Sequence, residues 1–224
     1  MFDECTELNL PPSINNINYT AKNCFNSMFN NCGNIKYYQD LNTNTIEQNS
    51  YIKMFDNCND LLYPPSLNSK TVGMSGCSYM FEWCSKLTYI PPLLMNTLDS
   101  YCYKNMFNNC THVAGKHVYL PASKLKTGCY QYMFRKVPIS GIAVKFNAWS
   151  DNNMSTTNTS NWLNSVLSAG NFYCYPQLNT NNRGVHTVPL NWTVYKSIKG
   201  VNLTFRDTIT VGDIQLFYLR KNNN

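Results

Sequence analysis

The chain has 224 residues, enough for one large domain or two modest ones, each able to bury a core. Charged residues make up 13% of it, about half the usual globular share, and Asn, Ser, Thr and Tyr supply the missing polarity, so the expected surface is neutral and hydrogen-bonding. The net charge of +6, from 18 basic against 12 acidic side chains, is scattered singly from Lys22 to Lys221, which argues against a nucleic-acid arm; no apolar stretch approaches the roughly 18 residues of a membrane span.

A Met-Phe pair recurs at Met1-Phe2, Met28-Phe29, Met54-Phe55, Met80-Phe81, Met106-Phe107 and Met133-Phe134, at intervals of 27, 26, 26, 26 and 27. Its flanks repeat with it. Cys5, Cys32, Cys58, Cys84 and Cys110 stand four residues after the Met, and Leu8, Ile35, Leu61, Leu87 and Val113 stand seven after. An aromatic precedes the pair at Phe25, Tyr51, Tyr103 and Tyr130, while Pro11-Pro12, Pro64-Pro65 and Pro91-Pro92 punctuate three units. The spacing i, i+3, i+4, i+7 of Tyr103, Met106, Phe107 and Cys110 predicts a short helix with one apolar stripe. Leu87-Thr88-Tyr89, alternating and closed by a Pro pair, predicts a short strand. Each turn of about 26 residues then reads helix, strand, connection. One unit cannot bury its stripe alone, so the turns stack into a solenoid with strands about 4.8 Å apart. The repeat core is Met28, Phe29, Cys32, Met54, Phe55, Cys58, Met80, Phe81, Cys84, Met106, Phe107, Cys110, Met133 and Phe134.

From Lys145 onward the rhythm stops, and alternating stretches predict strands at Val144–Phe146, Asn171–Tyr175, Trp192–Tyr195, Val201–Phe205 and Ile214–Leu219. Between them Ser150–Asn161 reads as a loop and Trp162–Leu167 as a short helix. The expected organisation is a solenoid of five to six turns over 1–140 and a β-rich capping or attachment domain over 141–224.

The pattern Cys-Tyr-x-x-Met-Phe-x-x-Cys-x-x-Leu, present at Cys102 to Val113 with Val in the last place, resembles the BspA-like leucine-rich repeats of bacterial surface proteins over about residues 1–140. Thr159-Ser160-Asn161-Trp162-Leu163, Gly170-Asn171-Phe172 and Val188-Pro189-Leu190-Asn191-Trp192-Thr193-Val194 are similar to the closing segment after such repeats in gut-bacterial and gut-phage proteins. The resemblance implies a leucine-rich-repeat-like fold and a surface-exposed binding protein. Ser50 and Gly76 depart from the pattern where Cys is expected, as does Val137 at the sixth repeat cysteine, which weakens any chemical role for the thiols.

The ten cysteines lack the close pairs of a zinc site and form instead a file of single thiols, one per turn, each a small buried side chain. Bridges between turns, such as Cys84 with Cys110 or Cys102 with Cys129, remain the alternative. His112, His117 and His186 sit in no metal-binding pattern, and Gly73-Met74-Ser75-Gly76 is no nucleophile elbow. Asp3, Glu4, Glu47 and Asp56 show no repeated pairing, so a glycan-active enzyme is unsupported; neither a catalytic residue, a metal nor a cofactor is expected.

Binding surfaces are better motivated. Strand alternation turns Asn9, Lys36, Leu62, Thr88 and Ala114 outward and Leu10, Tyr37, Tyr63 and Tyr89 inward; with the parity shifted, the tyrosines become an exposed strip suited to sugars or protein partners. The first turn, Met1 to Pro12, is an edge expected to be covered by a second copy, another chain or further sequence upstream of Met1. No secretory signal precedes Met1-Phe2, which already occupy repeat positions, and a virion protein needs none. The expectation is a non-enzymatic bacteriophage virion component, such as a capsid decoration, fibre or tail part, contacting partner proteins or a host-surface protein or glycan. A fragment of a bacterial cell-surface adhesin is the alternative.

Overall fold

The computed structural model describes residues 1–14, 17–113, 117–149 and 156–196. It is a parallel β-solenoid of about six turns with almost no helix. Three two-residue strands, β1 (Thr45–Ile46), β2 (Thr71–Val72) and β3 (Thr97–Leu98), pair in parallel with one strand per turn. Four longer strands, β4 (His117–Leu120), β5 (Gly141–Val144), β6 (Asn171–Cys174) and β7 (Thr193–Lys196), form a second parallel sheet in that order. The ladder between β4 and β5 runs without a break past residue 140.

The Met-Phe segments are not helices. Alternate backbone N–H groups there serve two different partners. Phe25, Ser27, Phe29 and Asn31 donate to Ser50, Ile52, Met54 and Asp56 of the next turn, whereas Cys24, Asn26, Met28 and Cys32 donate to carbonyls three residues back in their own turn. Every fourth residue is left-handed, as at Asn49, Lys53 and Asn57 (φ 55°, 56° and 60°) and at Tyr101, Asn105 and Asn109 (φ 57°, 57° and 65°). The physical reason is spacing. The rings of Phe2, Phe29, Phe55, Phe81, Phe107 and Phe134 stack in one column at 5.5 to 5.9 Å, about half the 10–12 Å width of a helix with its side chains. Helices cannot lie side by side at that distance. A chain of tight turns can, and it sends half of its N–H groups sideways to join the turns.

A second column runs Phe25, Tyr51, Cys77, Tyr103 and Tyr130, and the ring of Trp162, from another place in the next turn, stacks on its end. Its ring centroids lie 5.7 Å apart at Phe25–Tyr51, 6.0 Å at Tyr103–Tyr130 and 6.1 Å at Tyr130–Trp162. Tyr51 Oη donates to Thr43 Oγ1 at 3.5 Å. Eight residues before Tyr103 and Tyr130 stand Met95 and Ala122, which offer no such acceptor, and both hydroxyls are buried without a partner.

The strand expected at Leu87-Thr88-Tyr89 is reduced to an isolated bridge at the equivalent Tyr37 and Tyr63. The Pro pairs that follow lack the N–H a ladder needs; β4, β5 and β6 are longer, and a single Pro121 after β4 and Pro176 after β6 stand in place of a pair. The helix expected at Trp162–Leu167 is instead another tight-turn segment. Trp162-Leu163 take the Met-Phe place, Phe134 N–H donating to Trp162 O at 2.9 Å. His186-Thr187 meet the far side of that turn: Asn161 N–H donates to His186 Nδ1 at 3.0 Å, and Trp162 Nε1 to Thr187 O at 2.8 Å. The expected strands Asn171–Tyr175 and Trp192–Tyr195 correspond to β6 and β7, and Val144–Phe146 overlaps the end of β5. Within the expected loop, Thr156–Thr159 form a 3-10 turn. Ala114, the start of that loop at 150–155, and the strands at Val201–Phe205 and Ile214–Leu219 lie outside the described residues.

Phe107, fully buried between Phe81 and Phe134, should cost about 3–5 kcal/mol on change to Ala. Tyr103→Phe, which removes a buried hydroxyl with no partner, should leave stability unchanged or raise it. Urea unfolding of the two variants side by side checks the contrast.

Candidate binding surface

Stacking in register turns every exterior position into a row. In the stretch after each Met-Phe segment the inward positions are three apart: Ile35 and Tyr38, Leu61 and Pro64, Leu87 and Ile90 are all buried. That is the three-residue period of an extended Pro-rich chain, not the two-residue period of a strand. Two neighbouring rows therefore face outward together. Tyr37 is 60% exposed and Tyr63 54%, and Leu10, in the same row, is 71% exposed, which corrects the inward orientation expected from alternation. Tyr89 is half-buried, its ring 6.4 Å from that of Tyr63 and its hydroxyl donating to Pro64 O at 3.4 Å. Beside them Asn9 and Lys36 are exposed, while Leu62 and Thr88 are half-buried, Thr88 Oγ1 donating to Leu62 O at 2.8 Å.

Other rows carry amides. Asn49 Nδ2 donates to Asn23 Oδ1 at 3.0 Å and Asn57 Nδ2 to Asn31 Oδ1 at 2.7 Å, each pair one turn apart. The row two residues after the Met reads Asp3, Asn30, Asp56, Glu82, Asn108, Arg135. Asn30 donates to Asp3 at 2.8 Å, and Glu82 Oε1 accepts from Asn105 at 2.8 Å and Asn108 at 2.6 Å. Burial, and after it the Glu82 carboxylate, raise Asp56 from 3.8 to about 6. Tyr79 lies between two ammonium groups, Lys53 and Lys104, each 5.7 Å from its ring centroid.

The thiol file is internal. Cys58, Cys84 and Cys110 Sγ donate to the carbonyls of Phe29, Phe55 and Phe81 one turn back, at 3.1, 3.0 and 3.0 Å. Burial pushes all three thiols well above the ordinary range. Each thiol is thus a small donor that adds a second bond to a carbonyl already taken by a backbone N–H, and among the described residues no disulfide forms. No three His, Cys, Asp or Glu side chains among the described residues converge as ligands of a metal would.

Sequence reasoning missed one aromatic group. The register of the second sheet aligns Tyr119, Ala143, Tyr173 and Tyr195, and the rings of Tyr173 and Tyr195 stack at 5.0 Å. His117 leans over Gly141, where a Cβ would strike its ring, and lies 6.1 Å from Tyr173. Burial lowers the His117 pKa, which favours the neutral ring. The available signal was the small pair Gly141 and Ala143 standing level with large neighbours, visible only once the parallel register is known.

No helix of the described residues is long and apolar enough to cross a membrane. Compared with known protein families, with curated proteins and with solved structures, the chain matches none.

Two outcomes follow from these rows. Asp56 is raised above its unfolded value, so the fold disfavours its charged form: stability from this group is full below about pH 4 and declines as pH rises to about 6. Asp56→Asn should match the parent near pH 4 and exceed it in thermal midpoint above pH 6, the gap opening between those values. In a thiol titration of the native protein, the exposed Cys5 and Cys24 should react first, and the buried thiols only after unfolding.

Proposed function

We propose that this chain is a non-enzymatic surface protein that binds a partner protein or host-surface glycan through its tyrosine row, and that it is carried on a bacteriophage virion. The observation that carries the reading is the solvent-facing placement of Tyr37 and Tyr63 in successive turns of one stacked backbone. Tyrosine suits this use: it presents a rigid apolar ring with a polar tip and loses little side-chain entropy on contact. A solenoid holds such rings at fixed spacing, so the row is ordered before a partner arrives. The virion part rests on the resemblance of the repeat and closing segment to surface and gut-phage sequences.

Labelled protein should adsorb to host cells or to their purified surface polysaccharide without releasing reducing sugar. The double change Tyr37→Ala, Tyr63→Ala should weaken adsorption by about thirtyfold or more with the circular dichroism unchanged. Unaltered adsorption of the double variant would remove the tyrosine row from the reading, and release of reducing ends would replace binding with hydrolysis. Gold-labelled antibody against the chain should decorate phage particles; bare particles would refute the virion placement.

A further inference from the structure

A second exterior feature lies away from the tyrosine row, on the outside of the last Met-Phe turns. Asn105, Tyr132, Arg135, Asn161 and Asn164 line an open cleft of about 390 Å³. Three consecutive turns supply them, and their backbones are tied together: Asn105 N–H donates to Gln131 O at 2.9 Å, Tyr132 N–H to Ser160 O and Lys136 N–H to Asn164 O, both at 2.8 Å. The cleft is therefore set in the ladder itself and not in a loop.

Its chemistry is unlike that of the rows around it. Arg135 takes the place that Asp56, Glu82 and Asn108 hold in earlier turns, yet it pairs with no carboxylate among the described residues, where the ion pair is Lys86 with Asp60, at 2.6 Å. Glu82, the acid of its own row, is already satisfied by Asn105 and Asn108. Because Asn105 spends its Nδ2 on Glu82, its Oδ1 is left buried with no partner beside the cleft. Asn164 accepts from Ser165 Oγ at 3.0 Å and keeps its amide N–H groups. The cleft thus offers a planar guanidinium, the amides of Asn161 and Asn164, and one phenol ring.

We propose that this cleft binds an acidic saccharide, a sugar ring bearing a carboxylate. A guanidinium free of internal acids grips a carboxylate through two parallel N–H bonds. Amides that both donate and accept match ring hydroxyls, which do the same, and the Tyr132 ring offers a face for the sugar's C–H side. The size lies within the range of small-ligand sites, while the polar lining and wide mouth suit a hydrated ligand better than an apolar one. The proposal does not depend on the tyrosine row, and either can fail alone.

The test is calorimetric titration of the full chain with galacturonate oligosaccharides, the same oligosaccharides as methyl esters, neutral glucose oligosaccharides, and inorganic phosphate. The acid form should bind, and the esters and neutral sugars should bind about tenfold more weakly or not at all. Arg135→Gln should lose about tenfold or more in affinity, and Arg135→Lys should recover only part of it, since an ammonium cannot make the paired contact. Arg135 makes no side-chain hydrogen bond or ion pair among the described residues, so these variants should keep the parent's thermal midpoint. Absence of binding by the acid form, equal binding by the esters, or full affinity in Arg135→Gln would overturn the proposal. Phosphate binding as tightly as the acidic sugar would overturn it too, leaving a general anion site.

Discussion

The distance between successive turns governs this structure. Phe rings stacked at 5.5 to 5.9 Å fix the pitch of the coil, and every backbone segment has to fit within it. A helix closes its hydrogen bonds on itself and needs about 10 Å of width, so it is excluded wherever neighbours lie this close. The chain answers by dividing its N–H groups, half to its own tight turns and half to the next coil. That division requires a left-handed residue at every fourth place, a conformation costing roughly 1–2 kcal/mol for most L-residues.

The cost selects composition. Asn tolerates the left-handed region better than most side chains, and it occupies the place at Asn23, Asn31, Asn49, Asn57, Asn105, Asn109 and Asn161. Several of these amides then bond to their equals one turn away, a ladder that only identical register permits. The abundance of Asn, which an AT-rich coding bias alone would also produce, therefore has a structural use. The thiols follow the same logic: a cysteine one turn on is small enough for the interior and adds a second hydrogen bond to a Phe carbonyl that already accepts one from its own turn.

The period and its buried row could be read from the residues, because a side chain that recurs every 26 positions in a stacked coil must meet its own copy. The local conformation could not be read with the same rule. Over the nine residues from Cys102 to Cys110, a period of 3.6 and a period of 4 select almost the same positions, and helix is the commoner way to fill them. The distinguishing signal was the pairing: Cys102-Tyr103 and Met106-Phe107 repeat four apart as intact pairs, without the drift of about 40° per four residues that a helix imposes. The tyrosine row failed for a related reason. A period of two was applied to Leu87-Thr88-Tyr89, although Pro91-Pro92 immediately downstream favoured a period of three. The cleft at Arg135 had no signal in one dimension, since its side chains come from three turns.

Register gives the departures from the repeat their meaning. Where turns are stacked in step, a side chain like its neighbour gains a ladder contact at no further ordering cost, so an unlike one forfeits that contact unless something else engages it. Cys77 in place of Tyr breaks the second ring column, and its cost is absorbed inside the core. Arg135 breaks the acid and amide row on the outside, where no acid among the described residues receives it. Tyr132 beside it is held at φ 56° without the side-chain amide that eases that conformation for Asn. Repetition accounts for the interior of this molecule, and Arg135 marks where one exterior row stops repeating.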